Sequence, residues 1–309
     1  SKGESMSAVK SSGKSLEQLL GLEMNDCACG RPHRVPTREV LLQPGALKQL
    51  PATAERRLPA GTILCIADAN TWAAAGKEAV ALLRDSGRRV EVFMADEGSR
   101  PVHADGQAVE SLVSTLGNRR AVGLLAVGAG TINDIAKSAA TATGCPQVTV
   151  ATAASMNGYP SAISALTVQG VKTTQPCRPP AAIIADPQVL ATAPAAMTAA
   201  GFGDLLSKNA STADWLLGHH LFDDYYCGFA AGVAEEAVAR SIAAAPALRQ
   251  NSPQGLAVLA EALMRSGISM VLAGSSAPAS GGEHLISHLW DMNAHWTGRT
   301  PICPFADWP

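Results

Sequence analysis

The sequence predicts an α/β protein in which a mainly parallel sheet over residues 27–190 is followed by an all-helical region over residues 191–309. Two observations carry this. Short apolar runs alternate with helical patterns as far as Asp186-Pro187, the signature of a parallel sheet with crossover helices. From about Leu190 the strand-like runs stop and only helical spacing continues. A third observation locates the chemistry. In Leu124–Lys137 (LLAVGAGTINDIAK) an apolar strand, a turn with Gly128 and Gly130, and a helix opening at Thr131 form a cradle for an anion. Glycine lets a backbone approach a phosphate, and the free N–H groups and dipole of a helix start favour negative charge. The pattern falls short of a full GxGxxG fingerprint, so the glycines alone do not establish a nucleotide site.

Taken in order, Ser1–Ser15 is small and polar and is expected to be a mobile leader, with residues 1–26 outside the folded domains. Leu16–Leu22 suits a short helix. Cys27, Cys29 and His33 in CACGRPH are soft metal ligands, but only three stand together and no second pair faces them. The segment is therefore read as an ordinary turn before a strand at Glu39–Leu42. Thr62–Ala67 is the next strand and ends at Asp68, which could cap a helix or bond a ribose hydroxyl. Asn70-Thr71 is taken as the cap of a helix reaching Ser86. A strand at Arg89–Met94, an acidic loop at Asp96-Glu97-Gly98 and a helix at Gly106–Leu116 lead to the cradle. Gln147–Ala151 runs into TAASMNGYPS, a loop of small residues and hydroxyls suited to hugging a ligand. Leu166–Thr174 reads as a hairpin around Gly170, and Ala181–Ala185 as the last strand. Helices are then predicted at Ala195–Ala200, Asp204–Leu217, Tyr225–Ala244, Gln254–Ala273 and Glu283–Trp296.

The formal net charge of −2 gives no basic field for nucleic acid and no polybasic membrane patch. The seven scattered cysteines suit reduced thiols rather than a disulfide framework, so the expected compartment is the cytoplasm. No apolar run approaches the ~20 residues of a membrane span. In SGGEHLISH, His284 and His288 stand four apart and share one helix face, where two imidazoles can hold a divalent metal or one can handle a proton. Asp204 in GFGDLLSK is placed in the first turn of its predicted helix.

Four ordered stretches, GAGTINDIAK, TAASMNGYPS, GFGDLLSK and SGGEHLISH, resemble the sn-glycerol-1-phosphate dehydrogenases. Their wider superfamily includes iron-dependent alcohol dehydrogenases and dehydroquinate synthases. The resemblance implies a Rossmann-like nucleotide domain followed by a helical metal-binding domain of dehydroquinate-synthase type. It also implies reversible hydride transfer between NAD or NADP and a small phosphorylated triose, dihydroxyacetone phosphate, and allows a homodimer. By position, Asp68 would meet the adenosine ribose and lean the choice toward NAD. Gly130, Thr131, Ile132, Asn133 and Asp134 would wrap the pyrophosphate. Thr152, Ala153, Ala154, Ser155 and Ser161 would line the nicotinamide side. Asp204 and His284 would bind one divalent metal (zinc, nickel or iron), with His288 and Asn157 contacting substrate.

Two departures stand out. The family usually carries Asp where Asn157 stands. Its third metal-binding His would fall near Thr300–Phe305, where none is present, and the family's last helices are missing from this sequence, as a frameshift or an early stop would leave it. His295 lies eleven residues past His284, ~16 Å along a continuous helix, too far for the same metal unless the helix breaks. Helices meant to pack on the missing elements should show exposed apolar faces. The alternatives are a lyase on the same scaffold and a nucleotide-binding protein without turnover.

Overall fold

Why the central strands are continuous apolar runs is explained by a sheet covered on both faces. The computed structural model describes residues 13–96, 102–168 and 171–297. Its six-stranded sheet contains β3 (Glu39–Leu41), β4 (Ile63–Ala67), β5 (Val90–Met94), β6 (Gly123–Gly128), β7 (Gln147–Ala151) and β10 (Ala182–Ile184). The order is β3-β10-β7-β6-β4-β5 and every pairing is parallel. Along β4 the side chains alternate between two cores. Ile63, Cys65 and Ala67 face one with α2 (Leu50–Arg57) and α4 (Lys77–Asp85). Leu64 and Ile66 face the other with α5 (Gly106–Asn118) and α6 (Gly130–Thr143).

The chain visits β5 on one side of β4 and then crosses back to β6 on the other, so strand order reverses between β4 and β6. A crevice outside the carboxyl ends of strands at such a switch point is where ligands bind in open α/β sheets. The register pairs Gly128 with Ala151, which sets the Gly128–Gly130 turn beside the start of the 152–161 loop.

Four local expectations change. The helix after β4 is capped by Asp68 rather than Asn70-Thr71: Asp68 accepts from the Thr71 N–H at 2.8 Å, and Thr71 returns a bond to the Asp68 N–H. That helix runs through a short α3 (Ala69–Thr71) and a π turn at Trp72–Gly76 before α4. The hairpin is longer than its apolar core suggests, with β8 (Ile163–Val168) antiparallel to β9 (Val171–Pro176). Gly170 at its tip, Glu97 and Gly98 of the acidic loop, Ser1–Ser12 and the stretch Thr300–Phe305 lie outside the described residues. Finally, α8 (Ala195–Leu206) continues through Gly201 and Gly203 instead of stopping at Ala200, and α9 (Lys208–Phe222) follows at once.

The helical half adds α7 (Pro187–Leu190), α10 (Gly228–Arg249), α11 (Pro253–Ala273) and α12 (Gly282–Trp296). Its core is rich in alanine, and Ala230, Ala231, Ala237 and Ala262 let α10 and α11 pack closely. By length and composition α11 could cross a membrane, but 78% of its apolar window is buried inside this fold. The short α1 (Leu16–Leu19) is capped by Ser15 and buries Leu16 and Leu19 in the same core. On α12, Leu285, Ile286, Leu289 and Trp290 are exposed. The helix is unbroken from His284 to His295, so the two stay ~16 Å apart along its axis.

The Cys27–His33 segment turns as the sequence suggests and runs into a short strand at His33–Arg34, but it meets a partner from far along the chain. Cys227, the N-cap residue of α10, meets Cys27, Cys29 and His33 in space, and their four donor atoms lie within 4.8 Å of one another.

Candidate active site

The cradle forms where β6 ends. Ala129 enters α6 with extended backbone and no side-chain cap. The first-turn N–H groups of Gly130, Thr131 and Ile132 therefore lack intrahelical partners, while Asn133 N–H already bonds Ala129 O at 3.0 Å. Gly128 is needed because a Cβ there would sit 2.4 Å from the Ile132 Cβ. The Ile132 side chain is buried in the sheet core. Asn133 is fully buried and accepts from Gln147 and Thr149, so its side chain braces β7 and does not face the cleft.

A cleft of about 240 Å³ opens between the two halves, lined among others by Gly130, Thr131, Asp134, Ser155, Asn157, Ser161, His284 and His288. Thr152, Ala153 and Ala154 are buried just behind it. Asp68 stands one strand away at the end of β4.

Two buried side chains, Tyr159 and Lys137, hold the 152–161 loop. Tyr159, buried, has its hydroxyl 2.9 Å from Ala153 O and 3.2 Å from Gly128 O. Lys137, 0% exposed, donates to Gly158 O at 2.8 Å, to Ser161 Oγ at 3.0 Å and to Ile163 O, and pairs with Asp134 at 3.0 Å. Asp134 in turn accepts from the Ala165 N–H. Replacing Lys137 with Met would leave this carboxylate and these carbonyls without their cation. Loss of about 3 kcal/mol is expected, read as a lower urea midpoint with an unchanged slope.

The histidines, Asp204 and two lysines complete the site. Asp204 lies in the last turn of α8, not in a first turn, so a helix dipole does not explain it. Its carboxylate accepts from buried Lys208 at 2.5 Å and from Asn157 N–H at 3.1 Å. Lys208 also donates to Ala279 O at 2.8 Å. The Asn157 amide donates to Ser266 Oγ. His284 and His288 meet edge to face with ring centroids 5.0 Å apart. Burial first, then the Lys208 ammonium, pushes His284 down to about 4. Burial and then Lys172, which reaches the cleft from β9, lower His288. Both rings are therefore neutral near pH 7.

That depression has a sign. Unfolded His284 titrates at its ordinary 6.5 and folded His284 near 4, so between these values the unfolded chain holds the extra proton. In metal-free protein the contribution is complete above pH 6.5 and is lost as pH falls toward 4, up to about 3 kcal/mol. Urea unfolding at pH 7.5 and pH 5 in chelator should show the drop, and His284→Gln should flatten it.

Two neutral imidazoles are donors of the kind a divalent cation takes, and His288 Nδ1 is buried with no protein partner among the described residues, while both Asp204 oxygens already accept, one from Lys208 and one from the Asn157 N–H. Sequence reasoning missed Lys137 and Lys208, because a lone Lys in a helix carries no pattern that marks it as buried, and it missed Lys172 beside the histidines.

Similarity to known proteins gives the family. The sequence profile of iron-containing alcohol dehydrogenases matches residues 41–194. A glycerol-1-phosphate dehydrogenase [NAD(P)+] of Halalkalibacterium halodurans is 36% identical over 279 residues, covering 89% of this chain and 69% of that protein. The Geobacillus stearothermophilus protein of the same name is 33% identical, covering 90% of this chain and 69% of its own length. An archaeal alcohol dehydrogenase from a Red Sea brine pool superposes with a TM-score of 0.69 at 14% identity over 87% of this chain and 70% of that one, a likeness of fold alone. With a parallel sheet, a helical second half and identity at this level over most of its length, the chain belongs to the glycerol-1-phosphate dehydrogenase family.

Proposed function

We propose that this cleft carries out reversible hydride transfer between NAD(P)H and dihydroxyacetone phosphate, giving sn-glycerol-1-phosphate, with one divalent cation. The observation that supports it is convergence: one cleft holds both an uncapped helix start fit for pyrophosphate and two neutral imidazoles fit for a metal and a substrate hydroxyl.

The N–H groups of Gly130, Thr131 and Ile132 would hold the pyrophosphate, and Asp68 the adenosine ribose, which favours NAD because a carboxylate repels a 2′-phosphate. The rigid Thr152–Ser161 loop would form the wall on the nicotinamide side and exclude water there. Asp204 and His284 would hold the cation. When bound, the nicotinamide supplies the hydride and the cation supplies Lewis-acid polarisation of the ketone. Lys172 places positive charge in the cleft, where the substrate phosphate would need it. Asn157, its amide tied to Ser266, would bound the substrate on the loop side. His288, neutral near pH 7, would relay a proton to the new hydroxyl oxygen, taking one from solvent on one ring nitrogen as it gives the other up.

Product stereochemistry tests this reading. Run in the oxidative direction with NAD, the protein is expected to consume sn-glycerol-1-phosphate and leave sn-glycerol-3-phosphate untouched. Equal rates on both enantiomers, or faster oxidation of unphosphorylated glycerol, would contradict it.

A further inference from the structure

A second cluster, which shares no residue with the lining of the cleft, lies beside the last turns of α11. Met270 of α11 lines the cleft, whereas the Leu272 carbonyl two residues on accepts a 2.7 Å bond from His33 Nδ1. That bond fixes the His33 tautomer with its proton on Nδ1 and leaves the Nε2 lone pair facing sulfur. Nε2 is 3.2 Å from Cys29 Sγ and 3.6 Å from Cys227 Sγ, and Cys27 Sγ is 3.8 Å from Cys227 Sγ. His33 and Cys227 are buried, while Cys27 and Cys29 are half-buried and give an ion a way in.

We propose that Cys27, Cys29, His33 and Cys227 form a structural zinc site that ties the N-terminal segment to the start of α10 and the end of α11. A tetrahedral zinc with Zn–S near 2.3 Å and Zn–N near 2.0 Å has S···S edges of about 3.8 Å and S···N edges of about 3.5 Å. The separations of 3.2, 3.6 and 3.8 Å lie within a few tenths of an ångström of these edges, and all four donor atoms stay within 4.8 Å of one another.

Surrounding contacts suit thiolate ligands. Cys227 caps α10 and accepts from the Ala230 N–H, a bond that works against the upward push burial gives its thiol. The Tyr225 hydroxyl lies 3.4 Å from Cys29 Sγ. The left-handed Gly30, with its N–H bonded to Cys27 O, turns the loop so that both of its cysteines face inward. Four filled positions leave none for substrate, so the role is to hold α10 and α11 in place.

The test begins with metal content of the purified full-length chain after dialysis against EDTA. About one zinc per chain should remain, and X-ray absorption should show three sulfurs and one nitrogen around it. Asp204→Asn, which alters only the cleft, should keep that zinc. Cys29→Ser and Cys227→Ser should lose it, and His33→Cys should retain it with four sulfurs. Metal-free protein should also take up cobalt with thiolate-to-metal charge-transfer bands, a readout that does not depend on whether a variant folds. No retained zinc and no cobalt bands, scattering from oxygen and nitrogen alone, or a Cys27–Cys227 disulfide detected by mass would overturn the proposal.

Discussion

Replacing His284 with Ala is expected to lower kcat/KM for dihydroxyacetone phosphate on the order of 10³-fold while leaving NADH affinity unchanged. His284 faces the cleft on α12, and its neutral ring is one of two protein donors that would hold the catalytic cation. Removing it should cost metal affinity and transition-state stabilisation together. The nucleotide cradle lies at the start of α6, on a different element, and should not respond. Asp204→Asn should fall in the same range, because the amide cannot both accept from Lys208 and neutralise a cation. His288→Ala should differ: metal content should persist while turnover falls. NADH fluorescence titration and metal analysis alongside rates separate these outcomes.

Gly201→Ala is expected to destabilise the protein by about 3 kcal/mol or more and to weaken NADH binding. A Cβ at Gly201 would lie 2.0 Å from the Ala154 carbonyl oxygen, a backbone atom that cannot swing aside. Either α8 moves away or the loop proposed as the nicotinamide wall does. Gly267 on α11 presses against the same loop, with a Cβ position 2.2 Å from Asn157 O, and Gly267→Ala should behave alike. The control is Gly117→Ala on α5, where nothing lies within 4 Å. That change should be neutral or stabilise by about 0.5–1 kcal/mol through helix propensity. If all three variants unfold at the same urea concentration as the parent, the loop is not clamped as described.

What could be read from sequence follows from how local the signal was. The strands at Ile63–Ala67 and Gly123–Gly128 are buried on both faces, so their uninterrupted apolar runs were unambiguous. The cradle and the His284–His288 pair are each written within a few residues. The end of α8 was misplaced because Gly201 and Gly203 look like helix breakers, yet Gly201 is there to admit the Ala154 carbonyl from another element. Asp204 was assigned to the wrong end of a helix for the same reason. The cysteine cluster was set aside because its fourth member, Cys227, sits far along the chain with no local motif around it. Lys137 and Lys208 are invisible in a hydropathy pattern, since their burial is made possible by carbonyl and carboxylate partners contributed by other segments and the preceding helix turn.

On the proposed function, one cleft joins a nucleotide cradle to a divalent cation and a phosphorylated ketone. NADH oxidation with dihydroxyacetone phosphate tests it most directly, measured with nickel or zinc supplied and again after chelation. Turnover is expected that is lost on chelation, returns with metal and disappears in Asp204→Asn. Turnover that survives both chelation and Asp204→Asn would contradict it, as would tight NADH binding with no turnover under any metal.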